Sequence, residues 1–254
     1  LVGQAGQISL GQAGFVAVGA YGSAILTTRV GLDPWVALVL AGLMAVVIAL
    51  VVGVPTLRLR GYYLAMATLG INEIILVLLD RLRGFTGGVD GIGGIPALSV
   101  GGLGFDGPRA YHLLVWVVAL GVFVMALNLT RSRPGRSLRA LNQSEPAAEA
   151  LGIDTAFRKV QVFVVAALCA SLAGSLEAYY QKAGVPGHIW PHSYGIELSI
   201  LLISGVIIGG LRSMWGALWG AVLVAVVPAF LEPAVNKCRD EINPRLHGQN
   251  ESRF

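Results

Sequence analysis

"WVALVLAGLMAVVIALVVGVPTL", residues 35–57, runs for 23 positions without one charged side chain. A helix rises 1.5 Å per residue, so a run of this length crosses the roughly 30 Å hydrocarbon layer of a bilayer. The apolar residues are continuous rather than alternating, which selects helical spans over the strands of a membrane barrel. The whole chain has the same character: of 254 residues, 55% are hydrophobic and only 13% charged, and the mean hydropathy is +0.72. A soluble domain carries about 25% charged residues. Half of that leaves too little polar surface for a water-facing exterior, so lipid is the solvent.

Six further runs have a similar make-up: 8–27, 61–79, 111–130, 160–179, 196–211 and 213–231. The expected fold class is therefore all-α, a polytopic transmembrane helical bundle with about seven spans. The last two runs are separated by little more than Arg212. "GGLRSMWGALWGA" (209–221) accordingly reads as either two crossings or a broken, re-entrant pair. Residues 1–231 form the expected transmembrane domain. Residues 232–254 are polar and without periodicity, which predicts a disordered or atypical tail. Leu1 is not a natural start, so further residues are expected before it. Cys169 and Cys238 show no metal-ligand spacing.

The formal net charge is +4. Basic residues beside apolar spans point to the positive-inside rule rather than to nucleic acid. Residues 131–159 carry Arg131, Arg133, Arg136, Arg139, Arg158 and Lys159 against Glu145, Glu149 and Asp154. Residues 80–110 balance Arg81, Arg83 and Arg109 against Asp80, Asp90 and Asp106. The first segment is thus placed in the cytoplasm. Alternation then puts 80–110 and 181–195 outside, and Arg58 and Arg60 inside.

The cytoplasmic segment itself reads as structured. Pro134 and Gly135 break the preceding helix. Ser144 is a good N-cap, Glu145 and Pro146 suit a first turn, and Gly152 suits the C′ position. Together they bracket a helix of roughly Pro146–Leu151, after which Asp154 caps the next span. Isolated helices below about 12 residues are marginal in water, so this one must be held by docking. The sequence contains no G-x-x-x-x-G-K-[ST] phosphate loop, and nucleotide chemistry would have to come from a partner.

Several polar residues lie inside or beside apolar runs. "GQAGQISLGQAG" (3–14) repeats GQAG; its small residues suit close helix packing, while Gln4, Gln7 and Gln12 could line a polar path. Glu73 sits within a span, where an ionised group costs about 2.5–3.5 kcal/mol on insertion scales. It reads as either a helix-interface contact or part of a transport path, with Thr68 on the same stripe. "TGGVDGIGGIP" (86–96) offers Thr86, Asp90 and exposed amides that could take a carboxylate, or simply packs as a tight turn. His188, His192 and Trp190 suit an interface rather than a metal.

"GRSLRALNQSEPAAEALGIDTAFRK" (135–159) resembles the cytoplasmic coupling segment of permease subunits of branched-chain amino-acid ABC importers. "GQISLGQAGFVAVGAY" (6–21), "RLRGYYLAMATLGINEI" (58–74), "TGGVDGIGGIP" and "GGLRSMWGALWGA" match the same family in order. The resemblance implies coupling to an ATPase through Gly135, Arg136, Arg139, Ala147, Ala148, Glu149, Ala150, Gly152 and Lys159. Asn142 and Gln143 depart from it, standing where an arginine–acid pair is usual. It further implies a multi-pass protein of the bacterial inner membrane that imports branched-chain amino acids and is not an enzyme. The implied partners are a second permease subunit, two ATPase subunits that bind ATP and a periplasmic substrate-binding protein; this chain itself would hold no cofactor or metal. The possible substrate path comprises Gln7, Gln12, Thr68, Glu73, Thr86 and Asp90. Two alternatives stand beside this reading: a permease for urea or short amides of the same superfamily, and a self-powered secondary amino-acid carrier coupled through Glu73.

Overall fold

The computed structural model describes residues 3, 6, 7, 9–57, 59, 61–100, 103, 104, 108–180, 187–211, 213–227 and 230. The tail at 232–254, with Gln4, Arg58, Arg60, Asp106, Lys182 and Arg212, lies outside the described residues. The chain divides into two compact units, residues 1–200 and 201–254.

In order along the chain, the helices are α1 (Gln12–Thr28), α2 (Pro34–Thr56), α3 (Tyr62–Arg81), the single turn α4 (Arg83–Thr86), α5 (Pro108–Arg131), α6 (Arg133–Gln143), α7 (Glu145–Ala150), α8 (Thr155–Ala178) and α9 (Ile196–Gly209). A shorter apolar helix, α10 (Met214–Val227), follows. Among the described residues, five helices are long and apolar enough to cross a membrane: α2, α3, α5, α8 and the stretch Pro191–Gly209. The expected count of about seven is reached only by adding α1 and α10, both of which are short. Residues 9–11, expected to be helical, are not. Gly6 takes φ +63°, and a Cβ on Gly11 would stand 2.8 Å from the Thr68 carbonyl oxygen. The chain therefore runs beside α3 before α1 begins.

In the first unit α1 is enclosed, with 13 of its 17 residues buried. Such burial demands small residues. A Cβ on Gly19 would overlap the Ser171 carbonyl, and one on Gly174 would overlap that of Val16, so α1 and α8 meet backbone to backbone. Ser175 Oγ donates to the Gly19 carbonyl at 3.0 Å across the same contact. The α2 face toward the bundle is a stripe of Ala37, Ala41, Ala45 and Ala49 ending at Gly53. Its other face exposes Val36, Val39, Leu43, Val47 and Val51. This is the division expected in lipid, where backbone approach rather than hydrophobicity joins helices. Phe15 on α1 and Phe163 on α8 pack edge to face at 5.5 Å.

Two sets of connections gather at opposite ends of these helices. At one end, a 3-10 turn (Gly88–Asp90) follows α4 and leads into β1 (Ile92–Ile95). β2 (Ser99–Val100) and β3 (Leu103–Gly104) form a small hairpin. β4 (Gly187–Ile189) pairs antiparallel with β1, Ile92 opposite Ile189 and Ile95 opposite Gly187. Residues 80–110 and 181–195 were assigned to one side of the membrane, and the β1–β4 pairing puts them at one end. At the other end, Leu59 and Gly61 line a cavity with Leu141, Asn142, Glu145 and Lys159. The connections assigned to the cytoplasm thus share an end too.

The connection 131–155 holds more helix than its sequence suggested. Pro134 and Gly135 do end α5, but Pro134 also falls in the first turn of α6, where a missing N–H costs nothing. In the second unit, Gly210 at φ +103° turns the chain between α9 and α10. A Cβ on Gly209 or on Gly216 would overlap the other's carbonyl, and one on Gly220 would overlap that of Gly205. α9 and α10 therefore pack as a tight helical hairpin through these glycines.

Candidate functional site

α6 is amphipathic by spacing. Gly135, Leu138 and Leu141 are buried, while Arg133, Arg136 and Arg139 are exposed. A Cβ at Gly135 would collide with the Leu129 and Thr130 carbonyls, so glycine permits the sharp turn out of α5. Arg139 returns a hydrogen bond to the Thr130 carbonyl at 3.2 Å. The end of α6 is tied down by Asn142, whose amide donates to the Gly3 carbonyl at 3.1 Å.

α7 is closed at both ends by the residues that its sequence marks. Ser144 Oγ accepts from the Ala147 N–H at 3.4 Å. Gly152 adopts φ +78°, and the Ile153 N–H donates to the Ala148 carbonyl at 3.1 Å. Asp154 Oδ1 caps α8 by accepting from the Phe157 N–H at 3.0 Å. Two side-chain links then fasten α7 to the start of α8. Lys159 Nζ pairs with Glu145 Oε1 at 2.5 Å, and Thr155 Oγ1 donates to Glu149 Oε1 at 2.9 Å.

The nine residues expected to couple to an ATPase separate into two groups. Arg136, Arg139, Ala147, Glu149, Ala150 and Gly152 are exposed. Gly135, Ala148 and Lys159 are buried and act inward. Lys159, only 6% exposed, is the rivet between α7 and α8 rather than part of an outer surface. The sequence reading missed Leu151, which is 78% exposed. Its signal was available: a large apolar residue at the end of a helix too short to stand alone.

The residues proposed for a substrate path also divide. Gln7 lines a cavity with Leu64 and Ala65 of α3, and residues 10–14 follow the same helix from Thr68 to Asn72. Leu10 N–H donates to Thr68 Oγ1 at 3.0 Å, and a Cβ on Gly14 would stand 3.0 Å from Asn72 Oδ1. Thr68 and Asn72 therefore form a polar seam of α3 against the start of α1, and Gln7, Ser9 and Gln12 lie on the segment that borders it. Both amide atoms of Gln7 and of Asn72, and Gln12 Nε2, are buried without a hydrogen-bond partner. Such groups cost about 1–3 kcal/mol each when left unsatisfied, so the seam is expensive to maintain as mere packing.

Glu73 is not part of it. It lies on another face of α3, in a groove with Ile74, Val77, Leu78 and Arg81. Thr86 is committed to local structure, since its Oγ1 donates to the Leu79 and Leu82 carbonyls and accepts from Gly88 N–H. Asp90 is exposed at the far end, where its carbonyl meets His188 Nε2 at 2.9 Å. His188 and Trp190 stack at 4.4 Å. Among the described residues, no group of three His, Cys, Asp or Glu side chains could hold a metal ion.

The profile of the family described as "Branched-chain amino acid transport system / permease component" matches residues 1–243. The high-affinity branched-chain amino acid transport system permease protein LivM of Escherichia coli (strain K12) is 34% identical over 249 residues, covering 89% of this chain and 57% of that protein. The protein of the same name in Salmonella typhimurium is similar to the same extent. A probable branched-chain amino acid transport permease protein of Methanocaldococcus jannaschii is 24% identical over 147 residues, covering 57% of this chain and 41% of its own. The chain thus spans a little over half the length of the first two relatives. No solved structure matches it.

Proposed function

The chain belongs to the branched-chain amino acid transport permease family, and from that membership we propose that it is the membrane-spanning permease of an ATP-driven importer of branched-chain amino acids. It works in the bacterial inner membrane with a second permease subunit, two ATPase subunits and a periplasmic substrate-binding protein. ATP is bound and hydrolysed on the partners.

The observation that carries this reading is the construction of α7. Its inner face is anchored by Ala148, 1% exposed, and by the Lys159–Glu145 and Thr155–Glu149 links. Its outer face presents Ala147, Ala150 and Leu151. A push on that face is delivered to α8 through Lys159, and from α8 to α1 through the backbone contact at Gly19 and Gly174. α1 in turn carries the polar seam along α3. A change of nucleotide state can therefore reach the interior through packed, discrete contacts, and alternating access follows without covalent chemistry by this chain.

Leu151→Asp tests it. The variant should insert normally yet lose ATPase co-purification and ATP-driven leucine uptake; retention of both would refute the coupling. The relatives are named for branched-chain amino acids, which favours these over urea or short amides. The placement of Glu73 away from the polar seam counts against a carrier powered through that residue.

A further inference from the structure

Beneath α7 lies a cavity of about 470 Å³, within the range of small-molecule sites. Four of its lining side chains carry an amide or a charge: Gln7, Asn142, Glu145 and Lys159. Lys159 and Glu145 form the 2.5 Å ion pair. Gln7 is only 5% exposed, and neither atom of its amide has a partner. Leu59, Leu64 and Leu141 supply apolar wall.

We propose that this cavity is an exit subsite for a free α-amino acid. It rests on the permease reading and deepens it. The lining offers one cation, one anion and, because the Asn142 amide nitrogen is committed to the Gly3 carbonyl, one unpartnered amide, Gln7, that can both donate and accept. A zwitterion matches all three: its carboxylate takes Lys159 Nζ and Gln7 Nε2, and its ammonium takes Glu145 and Gln7 Oε1. The aliphatic side chain lies against the three leucines. A simple anion would satisfy Lys159 but repel Glu145, and a simple cation the reverse. The zwitterion also satisfies both atoms of the Gln7 amide at once.

The site is linked to the motor by construction. Glu145 belongs to α7 and Lys159 to α8, so the occupant replaces a direct contact between the two helices by a bridged one. Occupancy and the position of α7 must then influence each other reciprocally. Amino acid accumulated inside the cell would hold the bridged arrangement and slow further import.

The test is equilibrium binding of radiolabelled leucine to the purified complete membrane complex without its substrate-binding protein. Saturable binding is expected, weakened about tenfold or more by Gln7→Leu and by Lys159→Met, as for loss of a charge-assisted hydrogen bond. Isopentylamine and 4-methylpentanoate, each with one charge of leucine, should compete at least about tenfold less well. Ala65→Phe fills the cavity without touching a charge and serves if Lys159→Met fails to assemble. Binding that is absent, or unmoved by both Gln7→Leu and Ala65→Phe, would overturn the subsite. Uptake is a separate readout: a wild-type complex without ATP-driven leucine uptake would sink the permease reading, whereas intact uptake with unmoved binding sinks only the cavity.

Discussion

Residues 82–95 and residues 132–154 both follow membrane-length helices, but they are built from different materials. The first is closed mainly by backbone, with Thr86, Arg29 and His188 each adding a side-chain hydrogen bond. Gly87, Gly88, Gly91 and Gly94 take φ of +76°, +63°, +73° and +75°, and β1 is clasped by β4. The second is closed by side chains: two caps, an ion pair and a threonine–glutamate link. A backbone closure tolerates few side chains at its positive-φ turns and draws less on charge. A side-chain closure accepts substitution at its surface but responds to anything that alters charge or displaces a helix. Rigidity therefore belongs to one end of the bundle and responsiveness to the other, which is where a motor would need to act.

The sharpest way to break this contrast is Gly91→Val. A Cβ there overlaps the Ile189 carbonyl, and a β-branched residue at positive φ adds strain of its own, so a loss of about 3 kcal/mol or more is expected. Thermal unfolding in detergent, or simple failure to accumulate, would report it. Gly94→Ala is the control, because nothing lies within 4 Å of its Cβ; the remaining cost is about 1–2 kcal/mol of left-handed backbone. At the other end, Lys159→Met removes the cation paired with Glu145. A buried pair broken on one side costs about 3–5 kcal/mol, and the 21% exposure of Glu145 lowers the expectation to about 2 kcal/mol through solvent screening. Adding Glu145→Gln should recover part of that loss, measurable in a double-mutant cycle. Ser144→Ala and Asp154→Ala should each cost about 1 kcal/mol as lost caps. Leu151→Asp should change stability least, within about 0.5 kcal/mol as for other exposed sites, while removing coupling entirely.

The parts of this contrast that were legible in the sequence are those written in local chemistry. Ser144, Gly152 and Asp154 sit where capping rules place them, because a cap is decided by three or four neighbouring residues. The shared ends of the connections followed from arginine counting. α6 was not legible, since Pro-Gly serves equally to stop one helix and to start another, and only the space under Gly135 decides. Lys159 looked like a surface charge; its burial depends on Glu145, fourteen residues earlier. Glu73 could be read only as lying within a span, because hydropathy reports that a helix is in lipid, not which face meets protein. For the same reason residues 9–11 were read as helix: their neighbours in space, above all Thr68, shape the chain before Gln12.

The central claim is that the outer face of α7 receives the motor. Single cysteines at Ala147, Ala150 and Leu151, crosslinked within the complete complex with and without ATP, test it most directly. The account predicts adducts with an ATPase subunit at these positions, changing in yield with nucleotide, and none from Val89 at the opposite end. Capture of an ATPase from Val89 with none from α7 would contradict it.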